Sequence, residues 1–81
     1  MKFTAEITIS LKEGMRDPEA GAIQDALVNL GFSVRDLHTA RVFSVEMEAP
    51  DASAAEVQAR QMCERLLANP VIHDYRIEVA R

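Results

Sequence analysis

The sequence predicts an α+β domain in which one antiparallel sheet carries two helices on a single face. Three observations predict it: four segments alternate apolar and polar residues, two place apolar residues at helical spacing, and the order is strand, helix, strand, strand, helix, strand. The 81 residues suffice for one domain spanning 1–81 and leave no room for a second core.

The first strand covers residues 3–12, where Phe3, Ala5, Ile7, Ile9 and Leu11 alternate with Thr4, Glu6, Thr8, Ser10 and Lys12. A loop through Glu13-Gly14-Met15-Arg16 leads to Asp17, an N-cap residue, and to Pro18, which is tolerated in the first helical turn because the donor it lacks has no partner there. The helix that follows groups Ala20, Ile23, Ala26, Leu27 and Leu30 on one face, and Gly31 supplies the left-handed residue that ends it. Phe32 and Val34 then alternate with Ser33 and Arg35 as a short second strand. After a connection at 37–41, Phe43, Val45, Met47 and Ala49 alternate with Ser44, Glu46 and Glu48 as a third.

Pro50 closes that strand, and Ser53 with Glu56 has the spacing of a capping box for a second helix. Its apolar stripe is Ala55, Ala59, Met62, Cys63, Leu66 and Leu67, and it stops near Asn69 because Pro70 disfavours helix in the residue before it. Val71, His73, Tyr75, Ile77 and Val79 mark the last strand. This βαββαβ order is the split βαβ, or ferredoxin-like, arrangement: a two-layer sandwich. Val57 and Ile72 lie off the predicted core faces, and a chain this small gains little from its own core against an ordering cost of about 1.5 kcal/mol per residue, so self-association is expected.

Composition excludes several roles. Apolar residues make up 48% and charged residues 27%, the balance of a folded soluble domain, and the net charge of −4 opposes binding to nucleic acid or anionic lipid. Cys63 stands alone, so it makes no internal disulfide, a usage that fits a reducing cytoplasm. No stretch approaches the roughly 18 apolar residues of a membrane span, and Thr4 and Glu6 interrupt any apolar leader at the start.

The side chains that carry chemistry are sparse. A metal site of the C-x-x-C kind lacks its second cysteine, and Cys63 sits in a core stripe. A base-stacking RNA-binding sheet needs exposed aromatics, but Phe3, Phe43 and Tyr75 fall on core registers. His38 lies in a connection and His73 on a core register, neither beside a spaced nucleophile. Glu46 and Glu48 read as an exposed acidic strand face, and Gly14, Gly21 and Gly31 are too scattered to cradle a phosphate.

Two segments are more specific. The run Leu11-Lys12-Glu13-Gly14-Met15-Arg16-Asp17-Pro18-Glu19-Ala20-Gly21 and the run Met62-Cys63-Glu64-Arg65-Leu66-Leu67-Ala68-Asn69-Pro70-Val71-Ile72-His73-Asp74-Tyr75-Arg76-Ile77-Glu78-Val79 resemble PurS, the small subunit of phosphoribosylformylglycinamidine (FGAM) synthase, and the resemblance extends over the full length. Where that family carries Arg-x-Gly-Lys in the central connection, this chain reads His38-Thr39-Ala40-Arg41, keeping the basic end and replacing the glycine.

The resemblance implies a subunit without an active site or cofactor of its own. It would dimerise or form tetramers and join a large synthetase subunit, which holds ATP and magnesium, to a glutaminase subunit, supporting ammonia transfer in purine biosynthesis. The alternative is an ACT-like regulatory module, which shares the βαββαβ order and binds small molecules. A small enzyme of the acylphosphatase kind is discounted because Arg16 is flanked by Met15 and Asp17 without glycines. The candidate partner-binding residues are Lys12, Arg16, Arg41 and His38: in the split βαβ order the end of strand one neighbours the start of strand three, so the bases are expected to form one basic rim.

Overall fold

The structure is a computed structural model that describes all residues from Met1 to Arg81. Its elements are β1 (Lys2–Leu11), α1 (Pro18–Asn29), β2 (Ala40–Glu48), α2 (Ala52–Met62) continued by a π-helical turn (Cys63–Leu67), and β3 (His73–Ala80). The sheet is antiparallel in the order β2-β1-β3. The α+β class is as expected, with three strands in place of four.

Strand β1 is central, pairing with β2 on one edge and β3 on the other, and its inward residues Phe3, Ala5, Ile7 and Ile9 are all buried. Opposite Ile7 stand Phe43 on β2 and Ile77 on β3, so one apolar row crosses the sheet. Helix α2 packs over β1 and β3 through Ala55 and Ala59, followed by Cys63, all without solvent exposure. Small residues on that stripe let the helix backbone lie close to the strands, and half-buried Phe43, Val45, Met47, Ile77 and Val79 fill the flanks.

The second predicted strand, Phe32–Arg35, does not form. Helix α1 is about 18 Å long by its residue count, and the chain must travel back along it before entering β2. Residues 32–39 are that return limb: Gln24 Nε2 donates to the Arg35 carbonyl at 3.3 Å midway, and Thr39 Oγ1 donates to Asp17 Oδ2 at 2.6 Å at the base. Four alternating residues held beside a helix have no strand edge to pair with.

Helix α1 begins as predicted, with Asp17 Oδ1 accepting the Ala20 N–H at 3.0 Å and Pro18 in the first turn. It ends in a Schellman motif, Gly31 N–H to the Val28 carbonyl and Phe32 N–H to the Leu27 carbonyl, around Gly31 at φ +101°. Its predicted core face is largely uncovered, however. Ala20 is buried and Leu27 half-buried, but Ile23 is 41% and Leu30 74% exposed. The reason is geometric: α1 projects from the sheet end instead of lying on the sheet, giving extents of 51 × 26 × 15 Å and a radius of gyration of 16.1 Å. A compact chain of this length has about 12 Å.

Two further details differ in the second helix. Its N-cap is Asp51, whose Oδ1 accepts the Ala54 N–H at 2.8 Å, and not Ser53. A carboxylate directly after Pro50 caps the first available turn, which leaves Ser53 inside the helix. Leu66, expected in the buried stripe, is 84% exposed, because the π turn closes with Ala68 N–H on the Cys63 carbonyl at 2.9 Å. The wider turn rotates each residue less than an α turn does, swinging Leu66 outward and bringing Ala68 into the core.

Candidate partner-binding site

The two signature segments meet at one end of the sheet. Leu11 pairs with His73, and the Lys12 N–H donates to the Ile72 carbonyl at 2.8 Å. The first segment turns through Lys12-Glu13-Gly14-Met15, closed by Met15 N–H on the Lys12 carbonyl at 3.1 Å with Gly14 at φ +86°. That is a type II turn, which requires a positive φ at its third residue. In the second segment Asn69 organises everything: its Oδ1 accepts the Val71 N–H, its carbonyl accepts the N–H groups of Ile72 and His73, and its own N–H donates to His73 Nδ1 at 2.9 Å. Because Nδ1 accepts, neutral His73 carries its proton on Nε2.

Three clefts open around this junction. The largest, about 520 Å³, lies between the sheet, with Ile9, Leu11, Arg41 and His73, and the start of α1, with Asp17 and Glu19. The second, about 330 Å³, is lined by Lys12, Gly14 and His38 among others, and a third of about 210 Å³ by Arg16, Asp17 and Pro18. Asp17 borders all three.

The predicted bases therefore gather at one end of the sheet, where the arm begins, but line separate clefts. Ser10 pairs with Ala40 and Ile9 with Arg41, which brings the start of β2 beside the end of β1 as anticipated. Arg41 shares the helix-side register of Phe43, and its guanidinium stands over that ring at 5.4 Å. Lys12, one residue past Leu11, falls on the opposite register and shares its cleft with His38. Arg16 stands apart in the third. None of these three bases makes an ion pair, whereas exposed His38 contacts Asp36 at 2.9 Å. Ala40, in the glycine position of the related motif, is extended as the first residue of β2, and no residue other than glycine has a positive φ.

The sequence marks Asp17 as a helix cap and Asn69 as a helix stop, and gives Thr39 no role of its own. The Thr39 hydroxyl, then the Ala20 N–H, hold the Asp17 carboxyl below its ordinary range by bonding to the charged form. The Asp17-Pro18 pair carried half of this signal, while the Thr39 contact spans 22 residues and left no local trace. No group of three or more His, Cys, Asp or Glu side chains stands together as a metal site.

Comparison with known proteins decides the family. The PurS model, described as phosphoribosylformylglycinamidine (FGAM) synthase, matches residues 4–81. The chain belongs to the PurS family. The PurS subunit of FGAM synthase from Methanothermobacter thermautotrophicus is 46% identical over 79 residues, covering 98% of this chain and 94% of its own. The crystal structure of PurS from Methanocaldococcus jannaschii superposes with a TM-score of 0.88 at 38% identity, over 98% of this chain and 96% of that one. A chain in the structure of PurLQS from Thermotoga maritima superposes with a TM-score of 0.90 at 27% identity, over 99% of both. PurS is a subunit of FGAM synthase in purine biosynthesis, and the regulatory-module alternative is not favoured.

Proposed function

We propose that this chain is the non-catalytic small subunit of FGAM synthase, joining the large synthetase subunit to the glutaminase subunit in the cytoplasm and supporting the passage of ammonia between them. ATP and magnesium belong to the large subunit in this reading. The observation that carries it is the superposition of nearly the whole chain on a chain of the PurLQS structure. The site chemistry agrees: both Asp17 oxygens and His73 Nδ1 are engaged in holding the fold. The unpaired bases Lys12, Arg16 and Arg41 suit a surface that meets acidic groups on a partner.

Reconstitution tests the proposal. The isolated chain is expected neither to hydrolyse ATP nor to release ammonia from glutamine, and glutamine-dependent FGAM formation is expected only when it is mixed with both larger subunits. Turnover by the isolated chain would refute the non-catalytic role. Full glutamine-dependent turnover by the larger subunits without it would refute the bridging role.

A further inference from the structure

Residues 12–39 form an arm of two limbs, helix α1 going out and 32–39 coming back, attached to the sheet where the chain leaves β1 and enters β2. Little of the arm is buried against the sheet, Ala20 being its one fully buried residue. Within a single chain its direction therefore depends on what joins the limbs at the base, where Asp17 stands. One oxygen of the Asp17 carboxylate takes the Ala20 N–H at 3.0 Å and starts the helix, while the other takes the Thr39 hydroxyl at 2.6 Å, one residue before β2. That second bond has the short length typical of a hydroxyl donating to a carboxylate, stronger than a neutral pair.

We infer that Asp17 is a positioning residue whose hydrogen bond to Thr39 latches the base of the arm and sets the angle at which α1 leaves the sheet. A cap alone leaves both limbs free to pivot on their backbone connections, since the Gln24 bond to the Arg35 carbonyl holds the limbs to each other and not to the sheet. Thr39 precedes Ala40, which pairs with Ser10, so the latch ties the helix start to a residue adjoining the ladder. The apolar side chains of α1 are thereby presented in one fixed direction.

Distances between spin labels test this on the full chain in its own oligomeric state, with labelled protein diluted in unlabelled protein so that only distances within one chain are read. Labels go on Asn29→Cys, at the far end of α1, and Glu46→Cys, on β2, both exposed, while buried Cys63 stays unlabelled. The parent is expected to give a single narrow distance peak. Thr39→Val, which removes the hydroxyl and leaves the Asp17 cap intact, should lose it, as should Asp17→Ser, which retains a capping oxygen. Thr39→Ser should restore it, and helix content by circular dichroism should stay constant in Thr39→Val. A narrow peak unchanged in Thr39→Val overturns the inference, as does equal broadening in Thr39→Ser.

Discussion

The Lys12 N–H donates to the Ile72 carbonyl at 2.8 Å, joining the turn after β1 to the turn before β3 across 60 residues of sequence. The bond extends the β1–β3 ladder beyond its last pair, Leu11 with His73, so both signature segments rest on one hydrogen-bonded frame. Their sequence demands are largely architectural: glycine for the positive φ at position 14, and asparagine for the turn it closes at 69.

The Asn69 turn is open to direct measurement. Asn69→Ala removes the acceptor for the Val71 N–H, and the loss of one such bond at an exposed site costs about 1 kcal/mol. Melting temperature should fall by roughly 4–8 °C, with faster amide exchange at Val71. An unchanged melting curve would show that the Asn69 side chain adds nothing to the turn.

Asp17 makes stability depend on pH in a stated direction. Its carboxyl titrates below the ordinary range in the folded chain because Thr39 and Ala20 bond to its charged form. The contribution is fully present above the unfolded value of about 3.9 and is lost as pH falls through the lowered folded value. Asp17→Asn, still a good N-cap, should flatten the acid limb of the stability curve below about pH 4 and leave the slope near neutrality unchanged. Urea unfolding at a series of pH values checks both.

Cys63 is inaccessible, and burial pushes its thiol up from the ordinary value. The native protein should resist alkylation at pH 8 and react only after denaturation. Cys63→Ser places a hydroxyl among Ile7, Ala59 and other apolar groups and should destabilise by roughly 1–3 kcal/mol, the cost of an uncompensated buried hydroxyl. Rapid native labelling would contradict the packing of α2 on the sheet.

The uncovered face of α1 is where the self-association expected from the sequence is predicted to reside. Ile23 and Leu30 are exposed on a helix whose length and caps are otherwise satisfied. Charging both, Ile23→Glu with Leu30→Glu, should leave the β2-β1-β3 sheet intact and reduce the mass seen by light scattering to that of a single 9.0 kDa chain. An unchanged mass would place the contact elsewhere on the surface, with exposed Val57 on α2 the next residue to charge.

The bases at the clefts should act on partners and not on the fold. Lys12→Ala combined with Arg41→Ala breaks no ion pair within the chain, so melting temperature should hold to within the small change usual for surface positions. Glutamine-dependent turnover of the reconstituted complex should fall several-fold and lose part of its salt dependence, while ammonia-dependent turnover is retained. Since Lys12 and Arg41 line different clefts, the single variants should be nearly additive.

What the sequence determined by itself is local. The alternation of Phe3 to Leu11, the Asp17-Pro18 start, the Gly31 stop and the Pro70 break act through neighbours a few residues apart, so each reads directly from the chain. The signature segments belong to the same class, since their turns close within four residues. The tertiary structure alone decided the rest. Phe32–Arg35 has a strand pattern but became a return limb, because pairing needs a free edge that α1 carried it away from. The apolar face of α1 looks like core in one dimension, yet burial depends on whether a second surface stands opposite. Leu66 left the buried stripe through one widened turn, and the Asp17 contact to Thr39 required a fold that brings positions 22 residues apart within 2.6 Å. Periodicity states which side of an element is apolar, but only the path of the whole chain states what meets it.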